Sequence, residues 1–351
     1  MPTFSKNAIT DFAVKLLSAG GFDQDEAELV AKSLVDGNLA GYDSHGMMRI
    51  PQYIDQIAKG QILPGAEFEV LREGPSLLAV DGHWGAGQAQ AARMMQRLMA
   101  KANESGVAVG TMIQSAHIGR LGEYCETATA AGLVAMIMVN NHGAARRVAP
   151  PGGKAPRLST NPIAVGIPNG DEPIVMDFGT CMIAEGKVRV MKFAKERCPE
   201  GLLLDSDGRP TTDPNDLYAD PPGTILPLGG SQAYKGFALG MMVEIFSGAL
   251  SGGVCAREVP INQLGNCVFM MVLDPAHFGG AQHFASEVSS LIEFVRGCPR
   301  VEGVDEITLA GDPERRTVAR KLSEGIDFDE GNWEKITALA AKLGVDVPKP
   351  Q

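Results

Sequence analysis

The chain reads Asp43-Ser44-His45-Gly46-Met47-Met48-Arg49-Ile50-Pro51 near its N-terminal end, so one short stretch carries a hydroxyl, an imidazole and a guanidinium. Ser44 is a suitable N-cap and Gly60 a suitable stop, which predicts a helix between them. His45 and Arg49 are four residues apart, and this spacing places two side chains on one face of a helix. A fixed cation can bind a carboxylate while the imidazole moves a proton. The stretch is compatible with reduction of a 2-oxo acid, but by itself it is more typical of an ordinary capped helix that has a surface arginine.

Length and composition limit the classes of protein. A chain of 351 residues predicts two or three lobes, and 44% hydrophobic with 21% charged residues is typical of a globular protein. The net charge of −11 argues against general nucleic-acid binding. No apolar run is long enough for a membrane span. The six cysteines form no CxxC pair and no zinc spacing, and no signal peptide is visible, so we expect reduced thiols, no metal and a cytoplasmic location.

Hydrophobic periodicity predicts helices and strands in alternation. Asp23 stands three residues before Glu26, a capping-box spacing that predicts the start of a second helix. The predicted helices are 6–18, 23–39, the segment after Ser44, 87–105, 123–131, 233–249, 282–296 and a helical tail with Trp333. The predicted strands are 68–71, 77–80, 107–113, 133–139, 163–167, 174–176 and 268–273.

Two further features of the sequence are a proline-rich segment and the absence of a dinucleotide-binding motif. Residues 199–227 contain no predicted element, and a loop of that length predicts a lid or an arm between subunits. No G-x-G-x-x-G motif follows a predicted strand, which disfavours a conventional Rossmann fold. If a nucleotide binds, another fold must hold it.

Nine short segments, in order along nearly the whole chain, carry a family resemblance. They are Asp43-Ser44-His45-Gly46 with Arg49, Ser115-Ala116-His117-Ile118-Gly119-Arg120, Ser159-Thr160-Asn161-Pro162, Met176-Asp177-Phe178-Gly179-Thr180, Gly186-Lys187, Pro210-Thr211-Thr212-Asp213-Pro214, Tyr234-Lys235-Gly236-Phe237-Ala238-Leu239, Glu244-Ile245 with Leu250-Ser251-Gly252-Gly253, and Leu309-Ala310-Gly311-Asp312-Pro313-Glu314. The set resembles the malate/L-lactate dehydrogenase family of NAD(P)-dependent 2-hydroxyacid oxidoreductases, which includes ureidoglycolate, sulfolactate and diketogulonate dehydrogenases.

The resemblance implies a mixed α/β (α+β), non-Rossmann fold like that of sulfolactate dehydrogenase, with a nucleotide-binding domain around a mixed sheet. We expect a helical N-terminal segment over residues 1–75, a nucleotide-binding and substrate domain over 76–250, and a third domain with a helical tail over 251–351. The resemblance also implies a homodimer or a dimer of dimers.

Site residues follow from the same resemblance. His45 would be the proton donor and acceptor, supported by Ser44, while Arg49 and Thr160, with His117, would bind a small 2-oxo or 2-hydroxy acid. NAD or NADP would contact His117, Ile118, Gly119, Arg120, Leu121, Asp177, Phe178, Gly179, Thr180, Cys181, Lys235, Asn266, Leu309, Gly311 and Asp312. His117 could instead have a structural role.

Two alternatives stay open at this point. Cyclic-imine reductases of the family carry an acidic residue directly after the glycine at position 186, and this chain has Lys187 there, which favours a hydroxy acid over a piperideine- or pyrroline-2-carboxylate. A redox-silent protein that binds nucleotides or organic acids is the alternative from another class.

Overall fold

The structure is a computed structural model and describes residues 1–259 and 261–351. The helices are α1 (Lys6–Ala19), α2 (Gln24–Leu39), α3 (Ile50–Ala58), α4 (Gly87–Ser105), α5 (Gly122–Ala130), α6 (Glu185–Ala194), α7 (Ala233–Glu244), α8 (Ala281–Arg296), α9 (Asp312–Glu324) and α10 (Glu330–Leu343). The strands are β1 (Thr3–Phe4), β2 (Glu69–Glu73), β3 (Leu77–Asp81), β4 (Val107–Ser115), β5 (Val134–Asn140), β6 (Pro162–Ile167), β7 (Ile174–Gly179), β8 (Leu203–Leu204), β9 (Pro210–Thr211), β10 (Thr224–Ile225), β11 (Asn266–Leu273) and β12 (Ile326–Asp327).

Most predicted elements are confirmed to within a few residues. Asp23 caps α2 as its spacing indicates, because its Oδ1 accepts a hydrogen bond from the Glu26 amide at 2.8 Å. The apolar helix predicted to end at Ala249 is α7 followed by a π-helical turn, Ile245–Ala249. In the part of the chain that is described, no helix is long and apolar enough to cross a membrane.

A seven-stranded sheet in the order β2-β3-β4-β11-β5-β6-β7 forms the centre of the molecule. Only the β3 and β4 neighbours run parallel, and α4 is the crossover that such a pair requires. The other neighbours are antiparallel. The expected mixed sheet, and with it the mixed α/β fold class, is therefore confirmed.

Helices cover both faces of this sheet. On one face α4 and α5 bury residues such as Leu98 and Tyr124 against Met112 and Ile137. On the other face α7 places Val243 against Met138, Ile163 and Phe269. The sheet is therefore buried on two sides, and its β4, β5 and β6 ends lead into the loops that form the candidate site.

A separate helical core joins the two ends of the chain. Phe4 and Phe12 pack against Phe328 and Trp333, with ring centroids 4.5 to 6.0 Å apart, and β1 pairs with β12. β2 and β11 come from the first and third expected domains, yet both lie in the central sheet. The expected boundaries near residues 75 and 250 remain predictions, while the packing divides the chain into this helical core and the sheet.

The proline-rich segment 199–227 was expected to contain no regular element, and this expectation was wrong. The expected lid or arm between subunits stays a prediction. β8, β9 and β10 form a small three-stranded sheet. Leu203, Leu217 and Ile225 are buried in a core of their own, together with Val188 of α6. Burial of these apolar side chains gives the segment a fixed fold, and α6 is packed on it.

Candidate active site

The segment from Asp43 to Arg49 does not form the predicted helix. Two 3-10 turns, Asp43–His45 and Met47–Arg49, are separated by Gly46 in extended conformation, and α3 begins only at Ile50. Ser44 is therefore not an N-cap, and the four-residue spacing of His45 and Arg49 is not a helical turn. The two side chains nevertheless face the same cavity.

Asn38, at the C-terminal end of α2, determines this irregular path. Its Nδ2 donates to Asp43 Oδ1 at 2.6 Å, and its Oδ1 accepts from the Met47 amide at 2.8 Å. A Cβ at Gly46 would lie 2.3 Å from the Asn38 side chain, so no other residue fits there without a shift. Behind Asn38, the buried Lys321 of α9 donates to its carbonyl at 3.0 Å. The chain end thus supports the segment that carries His45.

The cavity has a volume of about 180 Å³. At about 30 Å³ for each water, this space suits a small organic acid. Nine residues of the predicted site line it: Ser44, His45, Arg49, His117, Ile118, Gly119, Leu121, Thr160 and Asn266. Nine further residues line the cavity and were not predicted as site residues: Val139, Asn140, Asn141, Ser159, Asn161, Pro162, Ala184, Glu185 and Gly186.

His45 and His117 stack in this cavity with ring centroids 5.4 Å apart. Burial, together with the charges of Arg49 and Arg120, lowers the pKa of His45 to about 3. Burial and Arg49 likewise hold the pKa of His117 well below its ordinary value. Both imidazoles are therefore neutral near pH 7. Ser44 Oγ lies 3.1 Å from His45 Nδ1, so the hydroxyl fixes the ring orientation.

The Arg49 guanidinium is oriented by two acceptors. Its Nε donates to the Ser44 carbonyl at 2.6 Å and its Nη1 donates to Gln52 Oε1 at 2.8 Å. Burial lowers the pKa of Arg49, yet a guanidinium stays charged at any physiological pH. A pre-oriented cation on the wall of a small cavity is suited to a carboxylate.

A buried chain of hydrogen bonds fixes the tautomer of His117. Gln88 Nε2 donates to Tyr53 Oη at 3.0 Å, so the Tyr53 hydroxyl hydrogen is free to point to His117 Nδ1 at 2.7 Å. The Gly119 amide points to the same nitrogen at 3.4 Å. His117 Nδ1 is therefore an acceptor, and the neutral ring carries its hydrogen on Nε2. His117 is a hydrogen-bond donor towards other partners.

Arg120 and Asp177, predicted to line the cofactor site, lie outside this cavity. Arg120 is buried and pairs with Glu126, and it lines a neighbouring cavity of about 600 Å³ together with Gly311. Asp177 accepts from the Gly122 amide at 2.8 Å, and burial raises its pKa to about 6. These residues form a second group beside α5 and the start of α9.

Residues 178–181 and Lys235 are distributed differently. Phe178 is more than one third exposed, whereas Thr180 and Cys181 are buried. The Thr180 amide donates to the Thr160 carbonyl at 2.9 Å, so residues 179 and 180 brace the wall that carries Thr160. Lys235 is exposed on the first turn of α7 and does not line the cavity.

The turn from Leu309 to Asp312 lies at the edge of the sheet. The Val175 amide donates to the Ala310 carbonyl at 3.2 Å, and the Leu309 amide donates to Asp312 Oδ2 at 2.8 Å. Gly311 has a φ of +95°, a conformation that glycine adopts without strain. The turn thus joins the start of α9 to β7, and it does not line the cavity of His45.

Glu244 of α7 organises two residues that the sequence analysis did not assign to the site. Its carboxylate accepts from Asn140 Nδ2 at 2.9 Å, from Asn161 Nδ2 at 2.7 Å and from the Ala256 amide at 2.7 Å. Because both amide nitrogens are committed to Glu244, the amide orientations are fixed. A single carboxylate within the apolar α7 sequence was the signal that could have identified this group.

Two amide oxygens on the cavity wall remain unpaired. Asn141 Oδ1 and Asn161 Oδ1 are buried and have no hydrogen-bond partner. His142, the residue after Asn141, packs edge-on against Trp84 with ring centroids 4.8 Å apart. A nicotinamide carboxamide has two N–H donors, so unpaired acceptors fit that group better than they fit a purely anionic ligand.

The architecture is that of a non-Rossmann dehydrogenase. It combines the mixed sheet, the helical core and the cavity that contains histidine and arginine. A family model described as Malate/L-lactate dehydrogenase matches residues 4–337, and the chain belongs to this family. It is a dehydrogenase of the 2-hydroxyacid class, and its family implies a nicotinamide cofactor.

Three known proteins illustrate the similarity. The L-lactate dehydrogenase of Cupriavidus necator is 33% identical over 98% of this chain and 99% of its own. The sulfolactate dehydrogenase structure from Methanocaldococcus jannaschii has a TM-score of 0.87 at 29% identity, covering 99% of this chain and 98% of that one, which confirms the expected fold. The delta1-piperideine-2-carboxylate reductase structure from Pseudomonas syringae has a TM-score of 0.84 at 32% identity, covering 97% and 100%.

Proposed function

We propose that the protein interconverts a small 2-hydroxy acid and its 2-oxo acid with NAD or NADP, and that His45 moves the proton on the substrate oxygen. One observation carries the proposal: His45 and Arg49 line the same small cavity, with His117 stacked on His45. An anion clamp beside a proton-transfer group is what this reaction needs from a protein.

Arg49 and Thr160 would bind the substrate carboxylate. The contacts of Arg49 with the Ser44 carbonyl and Gln52 orient its guanidinium before the acid arrives, so little side-chain entropy is lost on binding. Thr160 lines the cavity and is braced from behind by Thr180. These contacts would set the position of the second carbon of the acid.

His45 would be the base in oxidation and the acid in reduction. With a pKa of about 3 the free imidazole is neutral and ready to accept the hydroxyl proton. A bound carboxylate offsets the positive charge of Arg49, which favours protonation of His45 when the 2-oxo acid is present. His117 would donate its Nε2–H to the substrate, since its Nδ1 is occupied by Tyr53.

When bound, the nicotinamide would supply the hydride in reduction and accept it in oxidation. Asn141 and Asn161 would accept hydrogen bonds from its carboxamide, and Ile118 to Leu121 with Asn266 would line the same wall. For the rest of the cofactor we keep the predicted contacts with Arg120, residues 177–181, Lys235, Leu309, Gly311 and Asp312 as a proposal. Either NAD or NADP remains compatible with these residues.

A homodimer is proposed because α7 and its π-helical turn expose an apolar face. Met241, Met242, Ile245, Phe246 and Leu250 are each more than one third exposed. Contiguous apolar surface of this kind is typical of subunit interfaces. We also propose a cytoplasmic location, which suits six free cysteines.

Reduction of a cyclic imine is the second candidate. It is favoured by the likeness to the piperideine-2-carboxylate reductase and by Glu185, an acidic residue on the cavity wall. A redox-silent binding protein is the third possibility, since the site could bind an acid without turnover.

One assay separates the three. A panel of 2-oxo acids and of piperideine- and pyrroline-2-carboxylate is tested with NADH and with NADPH, and nicotinamide absorbance is followed. We expect oxidation of the cofactor with 2-oxo acids. Faster turnover of the cyclic imines would favour the second candidate, and binding without any absorbance change would favour the third.

A further inference from the structure

The charge on the cavity wall is carried by two residues. Among the described residues that line it, Arg49 is the one cation and Glu185 the one carboxylate, since His45 and His117 are neutral near pH 7. A substrate with one negative charge can be matched by Arg49. A second negative charge on the substrate would lie in a small cavity that already contains a carboxylate.

Glu185 is fixed in its ionised form. It is the first residue of α6, and Arg189 Nη2 lies 2.9 Å from each of its carboxylate oxygens. Tyr218 Oη donates to Oε1 at 2.9 Å. Burial opposes ionisation, but the hydrogen bonds and charge of Arg189 and the Tyr218 hydroxyl outweigh it, so the pKa of Glu185 is lowered. Its side chain is 17% exposed.

The carboxylate still has room for a ligand. Two carboxylate oxygens offer about four acceptor positions, and Arg189 and Tyr218 occupy three of them. Arg189 contacts Glu185 but does not line the cavity, so a substrate meets the acidic side of this pair. Glu185 can therefore accept a hydrogen bond from a substrate and repel an anion.

We propose that Glu185 makes the enzyme selective for monocarboxylic 2-hydroxy and 2-oxo acids whose far end is uncharged or donates a hydrogen bond. Acids with a second carboxylate or a sulfonate are disfavoured. This inference rests on the proposed function, because it assumes that the cavity of Arg49 binds the substrate acid. It assigns to Glu185 a role in specificity, separate from the proton transfer by His45.

The first test is binding without turnover. Oxamate and oxalate have the same size but carry one and two negative charges, and calorimetry gives the ratio of their dissociation constants. We expect the wild type to bind oxamate about 10- to 100-fold more tightly. Glu185→Gln should reduce this ratio about tenfold, while Glu200→Gln, a change at an exposed glutamate, should leave it unaltered.

The second test is the ratio of kcat/KM for pyruvate and 3-hydroxypyruvate to that for oxaloacetate and sulfopyruvate. The inference is overturned if the wild type binds or reduces the dianions as well as the monoanions. It is also overturned if the Glu185→Gln variant leaves both ratios unchanged, provided that its thermal unfolding curve shows that the variant is folded.

The wild-type ratios test the inference even if the variant does not fold. A charge preference in binding, combined with no turnover of any acid, would refute the proposed function and support the selection by Glu185. Turnover of the acids without a charge preference would support the proposed function and refute the selection by Glu185.

Discussion

Two walls of the substrate cavity are constructed in different ways. Ser44, His45 and Arg49 come from irregular backbone that depends on Asn38 and Lys321 for its path. By contrast, Asn140 is the last residue of β5 and Asn161 directly precedes β6, and one carboxylate of α7 orients both. The first wall carries the charges and protons of the reaction, and the second presents oriented amides. The comparison indicates that loss of the first wall should abolish chemistry, while loss of the second should lower stability and, through Asn161, weaken cofactor binding.

His45→Ala removes the proton-transfer group of the first wall, and we expect the largest effect. Turnover should fall about 100- to 10,000-fold because general acid–base catalysis is lost. Cofactor affinity, measured by fluorescence titration, should be largely kept. His283→Ala is the matched control, since His283 is exposed on α8. Normal turnover of His45→Ala would remove this residue from the mechanism.

The pH dependence tests the protonation state of the same residue. Because burial, Arg49 and Arg120 lower the pKa of His45 to about 3, the free enzyme holds a neutral base from pH 5 to pH 8. We expect kcat/KM for oxidation of the hydroxy acid to be level over this range. Reduction consumes a proton, so its kcat/KM should fall about tenfold per pH unit. The ordinary pKa of histidine is about 6.5. An inflection of the oxidation profile near that pH would contradict this assignment.

Arg49→Ala removes the anion clamp of the first wall. The apparent KM for the acid should rise by an amount equivalent to about 2–5 kcal/mol, because the substrate carboxylate loses a partly desolvated partner. Arg49→Lys keeps the charge but loses the planar fork, so it should recover only part of the loss. Steady-state kinetics with a saturating cofactor give both values. Unchanged KM in Arg49→Ala would make the residue a bystander.

Glu244→Ala tests the second wall. Three hydrogen bonds, from Asn140, Asn161 and the Ala256 amide, would be lost, and we expect a loss of about 2–3 kcal/mol in the free energy of unfolding. The two asparagine side chains would keep their bonds to the Val254 and Gly240 carbonyls. Glu244→Gln retains one acceptor oxygen and should lose about half as much. Urea unfolding measures the difference, with Glu287→Ala on the exposed side of α8 as control. Equal midpoints for Glu244→Ala and wild type would show that the second wall needs no such anchor.

Tyr53→Phe should give the smallest effect, because it removes only a hydroxyl behind the first wall. We expect about 1 kcal/mol less stability. The specific signature is in the ¹⁵N spectrum of His117. In the variant we expect a mixture of the two neutral tautomers, so that Nδ1 carries the hydrogen in part of the molecules. A structural role alone would lower stability without changing that tautomer, which separates the two explanations.

Local chemistry in the sequence predicted much of this architecture. The Asp23 cap, the α4 helix and most of the strands were predicted from the spacing of polar and apolar residues along the chain. The role of α4 as a crossover was not predicted. The shared cavity of His45, Arg49, His117 and Thr160 was predicted by the ordered family resemblance.

The remaining features depend on contacts between distant residues. The break at Gly46 results from the Asn38 side chain, so helical spacing gave the wrong local structure. Glu185 accepts a hydrogen bond from Tyr218, which lies in the folded proline-rich segment more than thirty residues further along the chain. The residue pattern within a single segment does not indicate such contacts between segments that are distant in sequence.

The chain has two tryptophans, and the fold separates them. Trp333 packs against the phenylalanines of the helical core, whereas Trp84 packs edge-on against His142, the residue after Asn141 of the cavity wall. Each indole is thus an optical reporter for a different part of the molecule. Replacing Trp84 by phenylalanine would leave a fluorescence signal that follows unfolding of the helical core, and replacing Trp333 would leave one that responds to ligands.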